Sequence, residues 1–139
     1  MVRLSVVRRK ISQIEEHLRR IRTLPPQSIE TFKEDTVTQD VLLFNLTQAV
    51  QDCIDIATHI VSDEGWGMPG TQTEAFDILG EKGVISKEIV QKMAAMVGFR
   101  NRVIHEYEEL NLDIVYDIWR KRLRDIEEFC LAVVERFGV

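Results

Sequence analysis

Apolar residues at Leu4, Val7, Ile11, Ile14, Leu18 and Ile21 recur in alternating steps of three and four, with mostly charged and polar residues between them. That spacing puts a narrow apolar stripe on one side of a helix. It ends at Thr23-Leu24-Pro25-Pro26, where paired prolines stop a helix and force an extended turn. A second helix is expected from about Thr36 to Val61, with Val41, Leu42, Phe44, Leu46, Ala49, Val50, Cys53, Ile54, Ile56, Ala57 and Ile60 as its apolar positions. Such a stripe is too broad for a surface helix and should pack on more than one neighbour. Residues 62–70 then form a breaker-rich connector containing Gly65, Gly67, Pro69 and Gly70. It lacks the Gly-x-x-x-x-Gly-Lys-Ser/Thr spacing of a phosphate cradle. A short helix is expected from about Thr73 to Leu79, closed by Gly80, with a second turn at Gly83. Ser86 caps the next helix, whose apolar positions are Ile89, Met93 and Met96. Asn111 can cap a last one, in which Trp119, Leu123, Ile126, Cys130, Val133 and Phe137 step by four and three. Nothing alternates with a period of two. The pattern therefore predicts an all-α chain, an up-and-down bundle of four long helices plus one short one, forming a single domain over residues 1–139.

Composition narrows the class. With 45% hydrophobic and 29% charged residues the chain matches an ordinary globular protein. No apolar run approaches the ~20 residues that span a bilayer, and the start, Met1-Val2-Arg3-Leu4-Ser5, lacks a signal-peptide pattern. A cytoplasmic protein with no membrane contact is expected. Cys53 and Cys130 are isolated thiols in apolar stretches and are read as buried small hydrophobes. His17, expected on an exposed flank, and His59, expected at a helix boundary, have no ligand companions at helical spacing, so no metal site and no cofactor are expected.

The net charge of −5 hides an uneven distribution. Residues 1–22 carry seven basic side chains against Glu15 and Glu16, whereas residues 23–90 carry three against twelve acidic ones. A further basic group, Arg120, Lys121, Arg122 and Arg124, lies beside the last apolar stripe. Local basic clusters suit RNA or an acidic partner; a solvated helix face is the plainer reading.

One stretch breaks the pattern. Continuing the stripe of Ile89, Met93 and Met96 lands on Arg100, a guanidinium where an apolar side chain belongs, inside Gly98-Phe99-Arg100-Asn101-Arg102-Val103-Ile104-His105-Glu106-Tyr107. At about 100° per residue, Arg100, Asn101 and His105 share a broad face, and a persisting helix brings Tyr107 almost under Arg100. Imidazole suits proton transfer near neutral pH, and the arginine fork matches a phosphate. The pair is suited to cleaving an RNA phosphodiester without metal, histidine aiding attack by the 2′-hydroxyl and arginine stabilising the charge that builds on the phosphate oxygens. On the structural alternative, Arg100 pairs with Asp52 or Asp55 of the second helix and His105 caps a helix end.

Arg100, four intervening residues, His105, one residue and Tyr107 resemble the Arg-x4-His-x-Tyr motif of the HEPN superfamily, specifically its HepT-like toxin ribonucleases. The likeness extends to Thr73-Glu74-Ala75-Phe76-Asp77-Ile78-Leu79-Gly80, to Gly83-Val84-Ile85 and to Met96-Val97-Gly98-Phe99-Arg100-Asn101, and covers residues from about 36 to the end. This resemblance implies a HEPN-like bundle that acts as the toxin of a toxin–antitoxin system, a metal-independent RNA endonuclease. Two protomers would pair so that both motifs line one cleft. Arg100 and His105 would be catalytic and Asn101 would orient one or the other; Arg102 lies outside the strict motif and is a supporting candidate for phosphate contact. It also implies that Tyr107 receives AMP from a partner nucleotidyltransferase antitoxin, adding bulk and negative charge at the cleft. The other reading is a HEPN module that partners a small nucleotidyltransferase without cleaving RNA. Modules of that kind usually lack part of the motif, which is complete in this chain.

Overall fold

The computed structural model describes residues 2–139 and contains no strand among them. Helix α1 (Leu4–Arg22) buries Val7, Ile11, Ile14, Leu18 and Ile21, the stripe its spacing predicts. It runs antiparallel to α3 (Thr36–Asp63): contacts from Arg3 to Asp63, Lys10 to Asp55 and His17 to Asn45 advance along one helix as they retreat along the other. Between them lies α2 (Ile29–Glu34), which periodicity does not reveal because its six residues hold one large apolar anchor. That anchor, Phe32, is fully buried, its ring 5.6 Å from Tyr116 and 5.5 Å from Trp119. Ser28 caps this turn by accepting the Thr31 N–H.

Helix α4 (Gln72–Glu81) continues past Gly80, its expected end. Glycine is needed there for approach rather than termination, because a β-carbon would lie 2.6 Å from Val90 of the next helix. The chain turns at Gly83, whose φ of +75° favours glycine. Helix α5 (Lys87–His105) begins where Ser86 accepts the Ile89 N–H, as the sequence predicts. A 3-10 turn (Tyr107–Glu109) follows, and Asn111 then caps α6 (Leu112–Asp117). The expected single last helix is interrupted by a π turn (Ile118–Arg122) before α7 (Leu123–Phe137). Ile118 and Trp119 of this wider turn and Leu123, which follows it, are all buried.

α3 packs against α1, α2, α4, α5 and α7 and is the centre of the bundle. Its broad apolar pattern is only partly buried. Leu42, Leu46, Ala49, Val50, Cys53, Ile56, Ala57 and Ile60 are inside, but Val37 and Val41 are exposed, as is Phe44 at 56%. Among the described residues no helix covers the face of that first stretch that carries Val37, Val41 and Phe44. Two expectations for single residues also change. His17 is largely buried against α3 rather than on an exposed flank, with its side chain 16% exposed. Cys53 and Cys130, far apart in sequence, are neighbours between α3 and α7; both are free, and Cys130 is only half-buried. Burial, and then the Cys130 thiol beside it, push the Cys53 thiol well above its ordinary value. Among the described residues no helix is long and apolar enough to cross a membrane.

Candidate active site

Arg100 lies half-buried near the end of α5, where the stripe of Met93 and Met96 meets the surface. Its Nη1 donates to Asn101 Oδ1 at 3.1 Å, and its buried Nε has no hydrogen-bond partner. Among the described residues, Arg100 takes part in no ion pair. Asp52 and Asp55, its partners on the structural alternative, are held instead by Lys10, at 3.6 Å and 3.0 Å. A partly desolvated cation with no carboxylate beside it retains most of its attraction for an incoming anion.

His105 is the last residue of α5 and is exposed. It does not cap the helix, since the closing bond is donated by the Glu106 N–H to the Arg102 carbonyl at 2.7 Å. Both ring nitrogens are left for other work. Arg102 is opposite Arg100 around α5 and roughly 60° from His105 at helical spacing. It lines a cavity of about 520 Å³ with Phe99, Asp113 and Ile114, and a smaller one with Glu106, Glu109 and Leu110. Neither cavity includes Arg100, Asn101 or His105.

Tyr107 does not come under Arg100, because α5 stops at His105 and the phenol is carried by the 3-10 turn. Its hydroxyl donates to Asp40 Oδ1 on α3. The Asp40 carboxylate, and then burial, raise the phenol above its ordinary value of 10.0, so it is neutral at physiological pH. Asp40 escapes sequence reasoning because its only link to the motif is a tertiary contact. The same bond ties the end of α5 to the uncovered stretch of α3, so Val37, Val41 and Phe44 border the motif along with exposed Ile104. The arrangement offers a phosphate-binding cation oriented by an amide, a free imidazole one helical turn further on, and an exposed phenol with a proton acceptor at hand. Among the described residues no cluster of three or more His, Cys, Asp or Glu side chains is placed to hold a metal ion.

A helical bundle with this motif at the end of one helix defines a HEPN-type fold, and comparison with known proteins specifies it further. The family model for HepT-like ribonucleases ("Ribonuclease HepT-like") matches residues 14–133, and the chain belongs to that family. It is 34% identical over 124 residues to the mRNA nuclease HepT of Shewanella oneidensis, covering 89% of this chain and 92% of that protein. It is 30% identical over 107 residues to the tRNA nuclease HepT of Aphanizomenon flos-aquae, covering 76% and 70% respectively. Among solved structures, the tri-AMPylated Shewanella oneidensis HEPN toxin in complex with MNT antitoxin superposes with a TM-score of 0.88 at 32% identity, over 94% of this chain and 97% of that one.

Proposed function

We propose that this chain, as one domain over residues 1–139, is the toxin of a toxin–antitoxin pair: a cytoplasmic, metal-independent RNA endonuclease that works as a homodimer. The observation that carries the reading is the half-buried Arg100, braced by Asn101, partnered by no carboxylate and one turn from an unengaged His105. His105 takes the proton of an RNA 2′-hydroxyl as its oxygen attacks the phosphorus, and the 5′-oxygen leaves with a proton returned to it. Arg100 stabilises the negative charge that builds on the phosphate oxygens. These roles use an imidazole and a guanidinium and require no Lewis acid. Arg102, outside the strict motif, supports them with a further phosphate contact.

Dimerisation supplies what one protomer lacks. The motif lies on open surface, and the exposed Val37, Val41, Phe44 and Ile104 beside it are the kind of apolar border a second copy covers. Two motifs facing each other enclose a cleft and provide one imidazole to remove a proton and another to return it.

Neutralisation acts through Tyr107. A nucleotidyltransferase antitoxin moves AMP from ATP to the phenol: the tyrosyl oxygen bonds the α-phosphorus, pyrophosphate leaves, and Asp40 offers the phenolic proton its first acceptor. The attached nucleotide blocks RNA by bulk and like charge. The relatives named for mRNA and tRNA cleavage and the AMPylated toxin–antitoxin complex support this reading.

One experiment tests the core of it. Labelled RNA is incubated with the purified chain in EDTA, alongside Phe44→Glu, while light scattering reports mass. The parent is expected to cleave in chelator at about twice the chain mass, and Phe44→Glu to be a folded, inactive monomer. Cleavage restored only by magnesium rejects the metal-free mechanism; an active monomer rejects the shared cleft.

A further inference from the structure

Arg120 and Lys121 of the π turn have no part in the motif, and the fold gathers them with Arg124 of α7 and Arg22 of α1. A cavity of about 630 Å³ is rimmed by Arg22, Arg120, Lys121 and Arg124 over apolar Leu24, Pro26 and Trp119, and no acidic side chain lines it. In a chain of net charge −5 a lining of one sign makes this place a local attractor for anions.

Two of the cations are held in position. Arg22 is clamped from outside the cavity by Glu127, with Nη2 to Oε1 at 2.7 Å and Nη1 to Oε2 at 3.2 Å. The Arg120 guanidinium packs 5.2 Å from the centre of the Trp119 ring. Lys121 reaches Asp117 at 3.4 Å but remains 76% exposed, and Arg124 takes part in no ion pair among the described residues. Compensation of a helix dipole explains Arg22, which lies in the last turn of α1. It does not explain Arg120, Lys121 and Arg124, because α6, the π turn and α7 follow one another without a break and present no carbonyl end there.

We propose that this cavity is a second RNA contact, holding single-stranded RNA away from the Arg100–His105 face, with phosphates on Arg120, Lys121 and Arg124 and a sugar or base over the apolar floor. It rests on the ribonuclease reading. A volume of this size takes a nucleotide rather than one small ion, and cations spread along the rim suit successive phosphates of a strand.

The test measures binding of a fluorescent, single-stranded RNA of roughly 20 nucleotides to the His105→Ala protein, which leaves the probe intact. It is repeated with Arg120→Gln, Lys121→Gln and Arg124→Gln combined in that background. The expected result is a loss of about tenfold or more in affinity near 0.1 M salt. The slope of log affinity against log salt should fall by about two, from three lost contacts at roughly 0.7 each. Replacing Arg120 and Arg124 by lysine should keep most of the slope. Should the glutamine set unfold by circular dichroism, Lys121→Glu alone provides the reading, with a weaker affinity expected. Unchanged affinity and slope overturn the inference while the ribonuclease reading stands. Loss of binding to the antitoxin alone, with RNA binding intact, also overturns it and assigns the cavity to a protein partner. If the parent chain binds RNA with the predicted charge dependence but cuts none, the ribonuclease reading fails and the contact stands.

Discussion

Along the seam between α1 and α3, polar groups are matched inside the protein: Lys10 reaches Asp52 and Asp55, and His17 Nδ1 lies 2.9 Å from Asn45 Oδ1. Asn45 in turn donates to the Val41 carbonyl at 2.9 Å, so its amide oxygen is the end turned to the imidazole, which donates to it. At the end of α5 the same kinds of group are left open. His105 is unengaged, and Arg100 has only the neighbouring amide. Chemically similar residues thus hold two helices together in one place and lie open in the other. The difference lies in whether their partners are supplied by the chain.

Substitutions on the two sides should therefore have opposite signatures. The largest effect is expected from His105→Ala, which should lower RNA cleavage by about 10²–10⁴-fold, with Arg100→Ala close behind at about 10²–10³-fold. His105→Ala should leave the urea midpoint nearly unchanged; a large fall would mean that His105 belongs with the structural group. On the seam, Asn45→Ala should cost about 1–3 kcal/mol, because it leaves a mostly buried ring nitrogen without its acceptor. At temperatures where that variant is folded, it should cleave RNA at the parent rate, which a labelled-substrate assay measures directly.

Tyr107→Phe addresses the open side more finely. It loses a half-exposed hydrogen bond to Asp40, so the midpoint should move by less than about 1 kcal/mol. Cleavage should largely persist, while mass spectrometry after co-expression with the antitoxin should find no AMP on this peptide. Silencing as complete as in the parent would mean that neutralisation works by occlusion.

The smallest effects separate two acids of the closed side by their pH dependence. Burial raises the Asp52 carboxyl above its ordinary value of 3.8, against the pull of Lys10 and His17. The folded state then holds that proton more tightly than the unfolded one. The stability it contributes is present below 3.8 and fades as pH rises through the folded value. Asp52→Asn should accordingly gain on the parent in urea midpoint as pH rises above 3.8. Glu16 has the reverse sign. Its hydrogen bond from Arg19 holds the carboxyl at about 2, so its contribution is present above 4.5 and is lost as pH falls toward 2. Being exposed, that contribution should shrink in high salt.

How far the fold could be read from the chain depended on the reach of each contact. α1 and α5 were legible because a regular stripe and a capping serine or proline stop are local signals. α2 was hidden because Phe32 owes its burial to Tyr116 and Trp119, which only the fold brings to it. Periodicity marked α3 as carrying a broad apolar stripe, yet it does not distinguish a core position from an exposed one, and Val41 and Phe44 were grouped with the core. In the site, the adjacency of Arg100 and Asn101 followed from one helix. The position of Tyr107 did not, because it is set by where α5 ends and by Asp40, 67 residues away.

That end of α5 bears on how the motif tolerates change in length. Arg100, Asn101 and His105 are locked in phase by one continuous helix, so a residue inserted among them rotates the imidazole by roughly 100° about the helix axis relative to the guanidinium. The phenol obeys no such phase. Past Glu106 the chain has left the helix, and one more residue before Tyr107 shifts the tyrosine without rotating the catalytic pair. Within a single ten-residue stretch, the spacing of the proposed cutting groups is rigid, while the spacing to Tyr107 is adjustable.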